Sequence, residues 1–437
     1  MSKYQAYPEY KDSGVEWLGE VPEHWQIKRI SYVASLRSGD AIVSEQIEVE
    51  GDYPVYGGNG LRGYTASFNH NGKYILIGRQ GALCGNINYG NGEFWASEHA
   101  VVVHPHLPIS INWLGETLRT MNLNQYNVSA AQPGLAVANI TCLKIPFPPK
   151  NEQDKIANFL DHETAKIDTL IDKQQQLIQL LKEKRQAVIS HAVTKGLNSH
   201  APMRDSGVEW LGEVPEHWRV GRYKFCTNRI VVGIAEAATH AYAETGVPII
   251  RSTNIREEGL ELSGMLFIKK EFAEANSSKY LYANDVITVR TGYPGTSAVI
   301  PETLDKSQCF TNLVATPKEE MSPLFLSEYL NSHTGKSYFD LLGWGSAQKN
   351  ISVPILQNIP IAWPETSEQA EIVSYVQEQR KRYTKLVAKG EKQIELLKER
   401  RTALISAAVT GKIDVRHHAS HPACDLQSSK STVHADL

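Results

Sequence analysis

Cysteine is scarce in this chain, and no pair of cysteines has a metal-binding spacing. The 437 residues contain five cysteines, an odd number, and no Cys-x-x-Cys pair. This pattern disfavours both a disulfide framework and a structural zinc site. No apolar run approaches the roughly 20 residues of a membrane-spanning helix, and the polar first residues lack the apolar core of a signal peptide. We therefore expect a cytoplasmic protein with reduced cysteines and no bound metal.

The sequence also lacks the short motifs that carry common enzyme chemistry. It has no Gly-x-Gly-x-x-Gly, no His-Glu-x-x-His and no Gly-x-Ser-x-Gly. Gly335-Lys336-Ser337 is like the end of a phosphate-binding loop, but Leu330 stands where that loop requires glycine. The Asn/Asp-Pro-Pro-aromatic motif of amino-methyltransferases is missing as well. We therefore expect no catalytic residues in this chain.

An overall excess of basic charge is the third thing the chain does not have. Its 45 Lys and Arg residues stand against 48 Asp and Glu residues, which gives a formal net charge of −3. Any binding to nucleic acid must therefore come from local clusters of Arg and Lys on the surface.

A long perfect repeat is the most informative feature that is present. Residues 12–25 and residues 205–218 both read DSGVEWLGEVPEHW. A second marker, Glu152-Gln153, recurs as Glu368-Gln369 at the start of another helix-like run. The offset is 193 residues for the string (12 to 205) and 216 for the pair (152 to 368), so the second copy is 23 residues longer between its markers. Two copies of this size indicate a duplicated domain rather than a solenoid.

A β-rich block follows each copy of the repeated string, at residues 28–149 and 221–364. Short strand-like runs, such as 73–77, 100–103 and 286–290, are separated by clusters of Gly and polar residues. The first of these runs leads into Arg79 and the last ends on Arg290, each before a turn with glycine. We predict mixed α/β blocks that share a scaffold but differ in their loops.

A helical pattern follows each block. Apolar residues spaced by three and four predict one seam at Ile156, Leu160, Ile167, Leu170, Leu177, Leu181 and Val188. The second seam comprises Ile372, Val376, Tyr383, Leu386, Ile394, Leu397 and Leu404, with an interruption at Gly390. Each helix would be some 65–70 Å long at about 1.5 Å per residue, and the two would most simply pair antiparallel. The sequence after Val415 lacks periodicity, which predicts a disordered tail.

The order and duplication of these elements resemble the specificity subunit of type I restriction-modification systems. The shared elements are the repeated string, a Gly-rich variable block, a closing passage and a long helix. The closing passages are Gln132…Ile145-Pro146-Phe147-Pro148-Pro149…Glu152-Gln153 and Gln348…Ile361-Ala362-Trp363-Pro364…Glu368-Gln369. The helices end in Ala192-Val193-Thr194-Lys195-Gly196 and Ala408-Val409-Thr410-Gly411. Pro133-Gly134-Leu135 departs from the more usual family form, Lys349-Asn350-Ile351, so a DNA contact from that loop of the first block is in doubt.

The resemblance implies a mixed α/β fold with two pseudo-symmetric globular target-recognition domains separated by two long antiparallel coiled-coil-like helices. The expected segments are recognition domains at 1–150 and 199–365, spacer helices at 151–198 and 366–415, and a disordered tail at 416–437. The implied partners are double-stranded DNA, two methyltransferase (modification) subunits and restriction/translocase subunits. S-adenosylmethionine, ATP and Mg would be bound by those partner subunits, and this chain would bind no cofactor of its own.

The candidate DNA contacts lie in the diverging loops, because Arg, Lys, Asn, Gln and Thr side chains reach phosphates and base edges. The candidates in the first block are Asn59, Arg62, Arg79, Gln80 and Gln132. Those in the second block are Arg251, Asn254, Arg290, Thr291, Gln348 and Lys349, with Tyr293 and Trp344 as apolar or stacking contacts. The alternative for each single residue is structural: the arginines form surface ion pairs, and the Asn and Gly residues make turns.

Two further interpretations of the whole chain stay open at this point. A scaffold whose long helices only assemble other proteins explains the helical pattern equally well, but it gives no reason for diverging loops on two matching blocks. A self-sufficient nuclease or methyltransferase lacks its motifs.

Overall fold

The computed structural model describes residues 4–81, 83–127, 134–234, 239–345 and 349–418. Two compact units make up the chain. The first unit comprises Met1–Gln174 and Gln393–Leu437, and the second unit is Gln175–Lys392. Each unit therefore contains one β-rich block and a part of each long helix.

Both blocks contain a four-stranded antiparallel sheet with the same strand order. In the first unit its strands, in sheet order, are Ala34–Ser38, Ala100–Pro105, Tyr74–Gly78 and Ile87–Gly90. In the second unit they are Thr227–Val232, Leu313–Pro317, Val286–Thr288 and Ser297–Val299. The duplication inferred from the sequence is therefore present in the topology.

A second four-stranded sheet in each block contains one parallel pair, which joins Val55 to Trp95 and Ile249 to Gln308. Its strands in the first unit are Gly60–Thr65, Tyr53–Gly57, Glu93–Ala96 and His70–Asn71. Those in the second unit are Tyr242–Ala243, Leu266–Ile268, Val247–Ile250 and Gln308–Cys309. Two-stranded ladders complete the units: Tyr10–Asp12 with Glu20–Pro22, Gln26–Arg29 with Lys144–Phe147, Met203–Asp205 with Glu213–Pro215, Arg219–Arg222 with Pro360–Trp363, and Ile255–Arg256 with Gly259–Leu260.

The side chains of the central strands alternate between two hydrophobic cores, one on each face of the sheet. Ile75 and Ile77 pack into the main cluster of the first unit, whereas Leu76 between them packs with Phe94 on the other face. Successive side chains of a strand point to opposite faces, so a strand that is apolar throughout is buried on both. This is why residues 75–77 are buried on both faces of the sheet, whereas Lys73 at the start of the predicted run is exposed.

The described residues contain four α-helices in the first half of the chain and five in the second, and each half ends in a short helix followed by a long one. In the first half of the chain they are Ile30–Val33, Ile111–Thr120, Val137–Thr141 and the first long helix, Lys150–Lys195. In the second half they are Lys270–Ala275, Pro323–Asn331, His333–Leu342, Val353–Asn358 and the second long helix, Thr366–Val409. Within each unit the start of one long helix packs against the end of the other: Ile156 shares a core with Leu404, and Ile372 with Ile189.

The two sequence markers meet in each unit. Trp25 Nε1 donates to the Glu152 carboxylate at 3.1 Å, and Trp218 Nε1 donates to Glu368 at 3.1 Å. The neighbouring histidine of each string lies 2.9 Å and 2.8 Å from the same carboxylates. The repeated string is therefore fixed to the first turn of a long helix, where a carboxylate also suits the positive end of the helix dipole.

The repeated string also closes over the end of the other long helix. Gly411, with φ +75°, lies against Pro22 and Trp25, and Gly196, with φ +78°, lies against Trp218. A left-handed residue after the last turn is the usual stop of a helix, and glycine adopts it without strain. The string thus links the start of one long helix to the end of the other.

The helix seam differs from the prediction in the middle of the first long helix. Leu170 and Leu177 are 51% and 46% exposed, whereas Ile171 packs into the core and Ile178 is buried. Positions 156, 160, 167, 171 and 178 repeat every ~3.67 residues, a longer period than the 3.5 of a strict heptad. The predicted seam is therefore displaced from the packed face by one residue at Leu170 and Leu177, where Ile171 and Ile178 are packed instead.

The second long helix continues through Gly390, where its apolar seam is interrupted, and ends at Val409, just before the expected stop at Gly411. Residues 416–418 belong to the folded first unit: Arg416 pairs with Asp414 at 2.7 Å, and the His418 ring lies 4.8 Å from that of Phe159. The rest of the predicted tail lies outside the described residues.

Candidate nucleic-acid interface

The candidate residues lie where equivalent strands end in the two units. Strand Tyr74–Gly78 leads into Arg79, and strand Val286–Thr288 leads to Arg290. A later loop returns to each of them, because Leu135 N donates to Arg79 O at 2.9 Å and Ile351 N donates to Arg290 O at 3.1 Å. Gly134 and Leu135 are therefore the structural equivalents of Asn350 and Ile351.

The first block presents three of its predicted contacts to solvent. Asn59 is exposed in the turn between strands Tyr53–Gly57 and Gly60–Thr65, and its Oδ1 accepts from Asn86 Nδ2 at 3.1 Å. Arg62 and Gln80 are exposed, and Arg62 has no ion pair within the described part of the chain. Arg79 is half-buried and donates to Ser38 Oγ at 3.1 Å.

The loop after strand Val247–Ile250 corrects one prediction. Asn254 is 3% exposed; its Oδ1 accepts from Arg251 N, and its Nδ2 donates to Glu261 O, both at 3.0 Å. The Asn254 amide therefore shapes the loop and is not available to a ligand. Arg251 is half-buried and donates to Gly264 O at 3.3 Å.

The other predicted contacts of the second block are more open. Tyr293 and Trp344 are 86% and 58% exposed. Thr291 Oγ1 donates to Asn350 Oδ1, and Lys349 Nζ donates to Asp340 O at 2.7 Å.

The structure says less about three other candidates. Arg290 is half-buried, and its Nε has no hydrogen-bond partner among the described residues. Gln132 and Gln348, which stand at matching places in the two blocks, both lie outside the described residues.

A cleft of about 910 Å³ in the second unit brings several of these residues together. Thr291, Tyr293 and Lys349 line it, whereas Arg251, Arg290 and Trp344 do not. The remaining lining residues are Arg185, Ser252, Thr253, Ile255, Arg256, Glu257, Glu258, Val289, Gly292, Pro294, Thr296, Lys336 and Asp340. The cleft lies between the block and the first long helix.

Sequence reasoning missed three of the four cations of this cleft. Arg256 lies in the hairpin Ile255–Arg256/Gly259–Leu260, and Arg185 lies on the first long helix, outside the predicted apolar seam. Lys336 belongs to the Gly-Lys-Ser triplet that was rejected as a phosphate-binding loop, and it occupies the first turns of helix His333–Leu342. Only the duplication could have identified Arg185 from the sequence. Arg185 is followed 216 residues later by Arg401, and the same offset separates the two Glu-Gln markers.

The first unit has a smaller polar cavity of about 280 Å³ at the corresponding junction of block and helices. Its lining residues are Lys73, Tyr89, Asn112, Glu116, Leu160, Asp161, Thr164, Arg401 and Ile405. Arg401 pairs with Asp168 at 2.9 Å. Burial, reinforced by Glu116, raises the pKa of Tyr89, so this hydroxyl stays protonated and acts as a donor.

An ion pair fixes the second block to the second long helix. Arg380 donates to both Glu328 carboxylate oxygens, at 2.7 Å and 2.6 Å. The two side chains are 14% and 12% exposed, and burial raises the pKa of Glu328 although Arg380 opposes the shift. Such a two-pronged contact gives a defined orientation as well as attraction.

Comparison with known proteins identifies the family. The type I restriction modification DNA specificity domain matches residues 22–180 and 234–396. A type I restriction enzyme EcoprrI specificity subunit from Escherichia coli is 45% identical over 147 residues, which cover 33% of this chain and 36% of that one. The MjaVIII specificity subunit from Methanocaldococcus jannaschii is 24% identical over 423 residues, which cover 91% of this chain and 95% of that one.

A solved structure from work on complex assembly and conformational transition of the type I R-M system has the same fold. Its TM-score is 0.62 at 16% identity, over 90% of this chain and 99% of that one. The chain belongs to the type I restriction-modification specificity-subunit family and carries two copies of its DNA specificity domain. Among the helices of the described residues, none is long and apolar enough to span a membrane.

Proposed function

We propose that the two blocks read the two halves of a bipartite double-stranded DNA target, one half each. The observation that carries this proposal is the repeated scaffold with different side chains at equivalent strand ends. Arg79-Gln80 stands in the first block where Arg290-Thr291 stands in the second. Two domains that bind different half-sites of DNA need the same backbone scaffold but different side chains in contact with the bases.

The proposed contacts are the exposed polar and aromatic side chains at these strand ends. Asn59, Arg62 and Gln80 serve the first block, and Thr291, Tyr293 and Lys349 serve the second. Arginine and lysine suit phosphates and guanine, and amide side chains suit adenine. Trp344, Arg79, Arg251, Arg290, Gln132 and Gln348 remain proposed contacts, while Asn254 is withdrawn.

An exchange of blocks tests the division of labour. Replacing residues 61–132 by the corresponding block of a relative should change one half of the methylated sequence and leave the other half intact. Sequencing methylated positions across a host genome gives both halves in one measurement. The reciprocal exchange in the second block is the control, and a change in both halves from either exchange would refute separate readers.

We further propose that the long helices dock two methyltransferase subunits and space the recognition domains. Support comes from exposed apolar residues that the duplication has preserved. Leu170 and Leu386 are 51% and 37% exposed, and Leu180 and Leu396 are 60% and 45% exposed. Contiguous exposed apolar patches rimmed by polar residues mark protein–protein interaction sites. Each unit carries one member of each pair, so each offers an equivalent surface.

Native mass measurement tests this docking surface. The unaltered chain should bind two methyltransferase subunits, Leu180→Glu or Leu396→Glu alone should bind one, and the double variant none. Leu177→Glu is the matched control, because Leu177 is 46% exposed on the same helix but its counterpart in the second helix is a glutamine. Two bound subunits in the double variant would place the docking surface elsewhere.

The chemistry of the complex is assigned to the partners. S-adenosylmethionine would be bound by the methyltransferase subunits, and ATP and Mg by the restriction/translocase subunits. This chain would supply recognition and assembly without catalysis, within a cytoplasmic complex.

A protein scaffold without DNA binding is not favoured, because it leaves the diverging strand ends without a role. Binding of the complex to duplex DNA with a strong salt dependence separates the two functions. Equal binding to target and scrambled duplex would favour the scaffold.

A further inference from the structure

The cleft of the second unit has a nearly balanced set of charges. Four cations line it, Arg185, Arg256, Lys336 and Lys349, together with three carboxylates, Glu257, Glu258 and Asp340. The lining therefore carries four positive and three negative charges.

Three of the four cations lie beside a carboxylate of the cleft. Lys336 Nζ pairs with Glu257, Arg185 lies 3.5 Å from Glu258, and Lys349 lies 3.5 Å from Asp340. Glu258 also lies 3.7 Å from Arg380.

We infer that this cleft takes the phosphodiester backbone of the DNA read by the second block, and that its three carboxylates are built-in counter-ions which the phosphates replace. The inference rests on the proposed DNA-reading function and adds the route of the backbone. Lys336, Lys349 and Arg185 are the phosphate contacts.

Two of these three contacts are long and exposed, so a phosphate can displace them readily; the Lys336–Glu257 pair is closer, with side chains 34% and 27% exposed. Glu258 is 52% exposed and Asp340 is 69% exposed, and their distances of 3.5 Å are longer than a good charged hydrogen bond. Exposed ion pairs at such distances contribute little in water. The Arg380–Glu328 pair nearby is the opposite case: it is buried, two-pronged and short, and it stays in place.

The glutamates come from residues that only the second block has. From Val55 to Arg79 the first block uses 24 residues, and from Ile249 to Arg290 the second uses 41, so 17 of the 23 extra residues fall there. Glu257 and Glu258 lie at the turn of the hairpin Ile255–Arg256/Gly259–Leu260 in this stretch.

The pairing is consistent with the chain's net charge of −3, which gives no overall attraction to DNA. Cations that are paired with carboxylates in the free protein attract any duplex less strongly, and they become available to phosphates only when the carboxylates are displaced.

Salt-dependent DNA binding by the assembled methyltransferase complex tests the inference. Glu257→Gln/Glu258→Gln should tighten binding to a duplex with the mapped target by about two- to thirtyfold, since two competing ion pairs are removed. The plot of log affinity against log salt should also become steeper. The matched control is Glu271→Gln/Glu274→Gln, which makes the same charge change at two exposed positions of helix Lys270–Ala275, outside the cleft.

Removing a positive charge from the cleft gives an independent test of the inference. Lys336→Gln and Lys349→Gln should each weaken binding and lower the salt slope by about 0.9. Weaker binding by the glutamine pair, or binding equal to that of its control, would overturn the inference, as would unchanged slopes in both lysine variants. Failure of the unaltered complex to prefer its target would instead refute the proposed function.

Discussion

The carboxylate of Glu152 connects three parts of the first unit, and its removal has a calculable effect. Glu152 is 4% exposed and accepts hydrogen bonds from Tyr7 Oη and Trp25 Nε1, with His24 Nε2 at 2.9 Å. Glu152→Ala strands the two buried donors at about 1–3 kcal/mol each. The free energy of unfolding of the first unit should therefore fall by about 2–6 kcal/mol.

Two companion variants show whether the hydrogen bonds are the cause. Glu152→Gln keeps an oxygen for Tyr7 and Trp25 but loses the charge, so it should cost about 2 kcal/mol, roughly 1 kcal/mol for each of the two hydrogen bonds that change from charged to neutral. Glu368→Ala removes the equivalent carboxylate of the second unit, which is 29% exposed in its side chain. Because one buried donor, Trp218 Nε1, is left there, the expected loss is about 1–3 kcal/mol.

Hydrogen exchange resolved by peptide is the suitable assay, because it reports the two units separately. In Glu152→Ala, protection should fall in peptides from residues 4–25 and 150–170 and remain unchanged in peptides from residues 205–225. Equal losses for Glu152→Gln and Glu152→Ala, or a loss of protection confined to the second unit, would refute the reasoning.

Two predictions concern other contacts of the units. Gly411→Ala should destabilise the first unit more than Gly196→Ala destabilises the second, by thermal unfolding: both positions have positive φ, which costs about 1–3 kcal/mol, but only at Gly411 would the new Cβ overlap a proline ring. A smaller effect at Gly411 would contradict this. Arg380→Met should lower stability by about 3–5 kcal/mol at neutral pH, because Glu328 is left buried and charged. Burial raises the pKa of Glu328 and Arg380 opposes the shift, so the pKa should rise further without Arg380, and protonation of Glu328 should restore stability as the pH falls. Denaturation midpoints with the same deficit at pH 5 and pH 7 would argue against it.

The repeat and the helices could be predicted from the sequence, because the repeat is an exact match and a helical pattern depends only on residues close together in the chain. The two identical fourteen-residue strings predict two equivalent units, and the three- and four-residue spacing predicts the first long helix, which spans 46 residues. The packed face was harder, since one residue of drift separates Leu170 from Ile171. Only the partner helix decides which of two adjacent apolar residues is buried.

The candidate site was predictable as a region and less so residue by residue. Arg79 and Arg290 do follow the predicted strands, but residue type did not distinguish Asn254, whose amide closes a loop, from the exposed Asn59. Arg185 was missed because its place in the cleft depends on packing between segments that are distant in sequence. Side-chain direction in loops is set by such packing, which single-sequence patterns do not encode.

The links made by the repeated strings have a consequence for the order in which the protein is synthesised. The second unit is one continuous stretch, residues 175–392, whereas the first unit needs residues 1–174 together with residues from 393 onward. On the ribosome the second unit can therefore complete its core while the first still lacks Leu404, Ala408 and Val409. The unit whose synthesis begins first therefore completes its folding last. Until then its core residues around Ile156 and Leu160 remain exposed to solvent or to a chaperone.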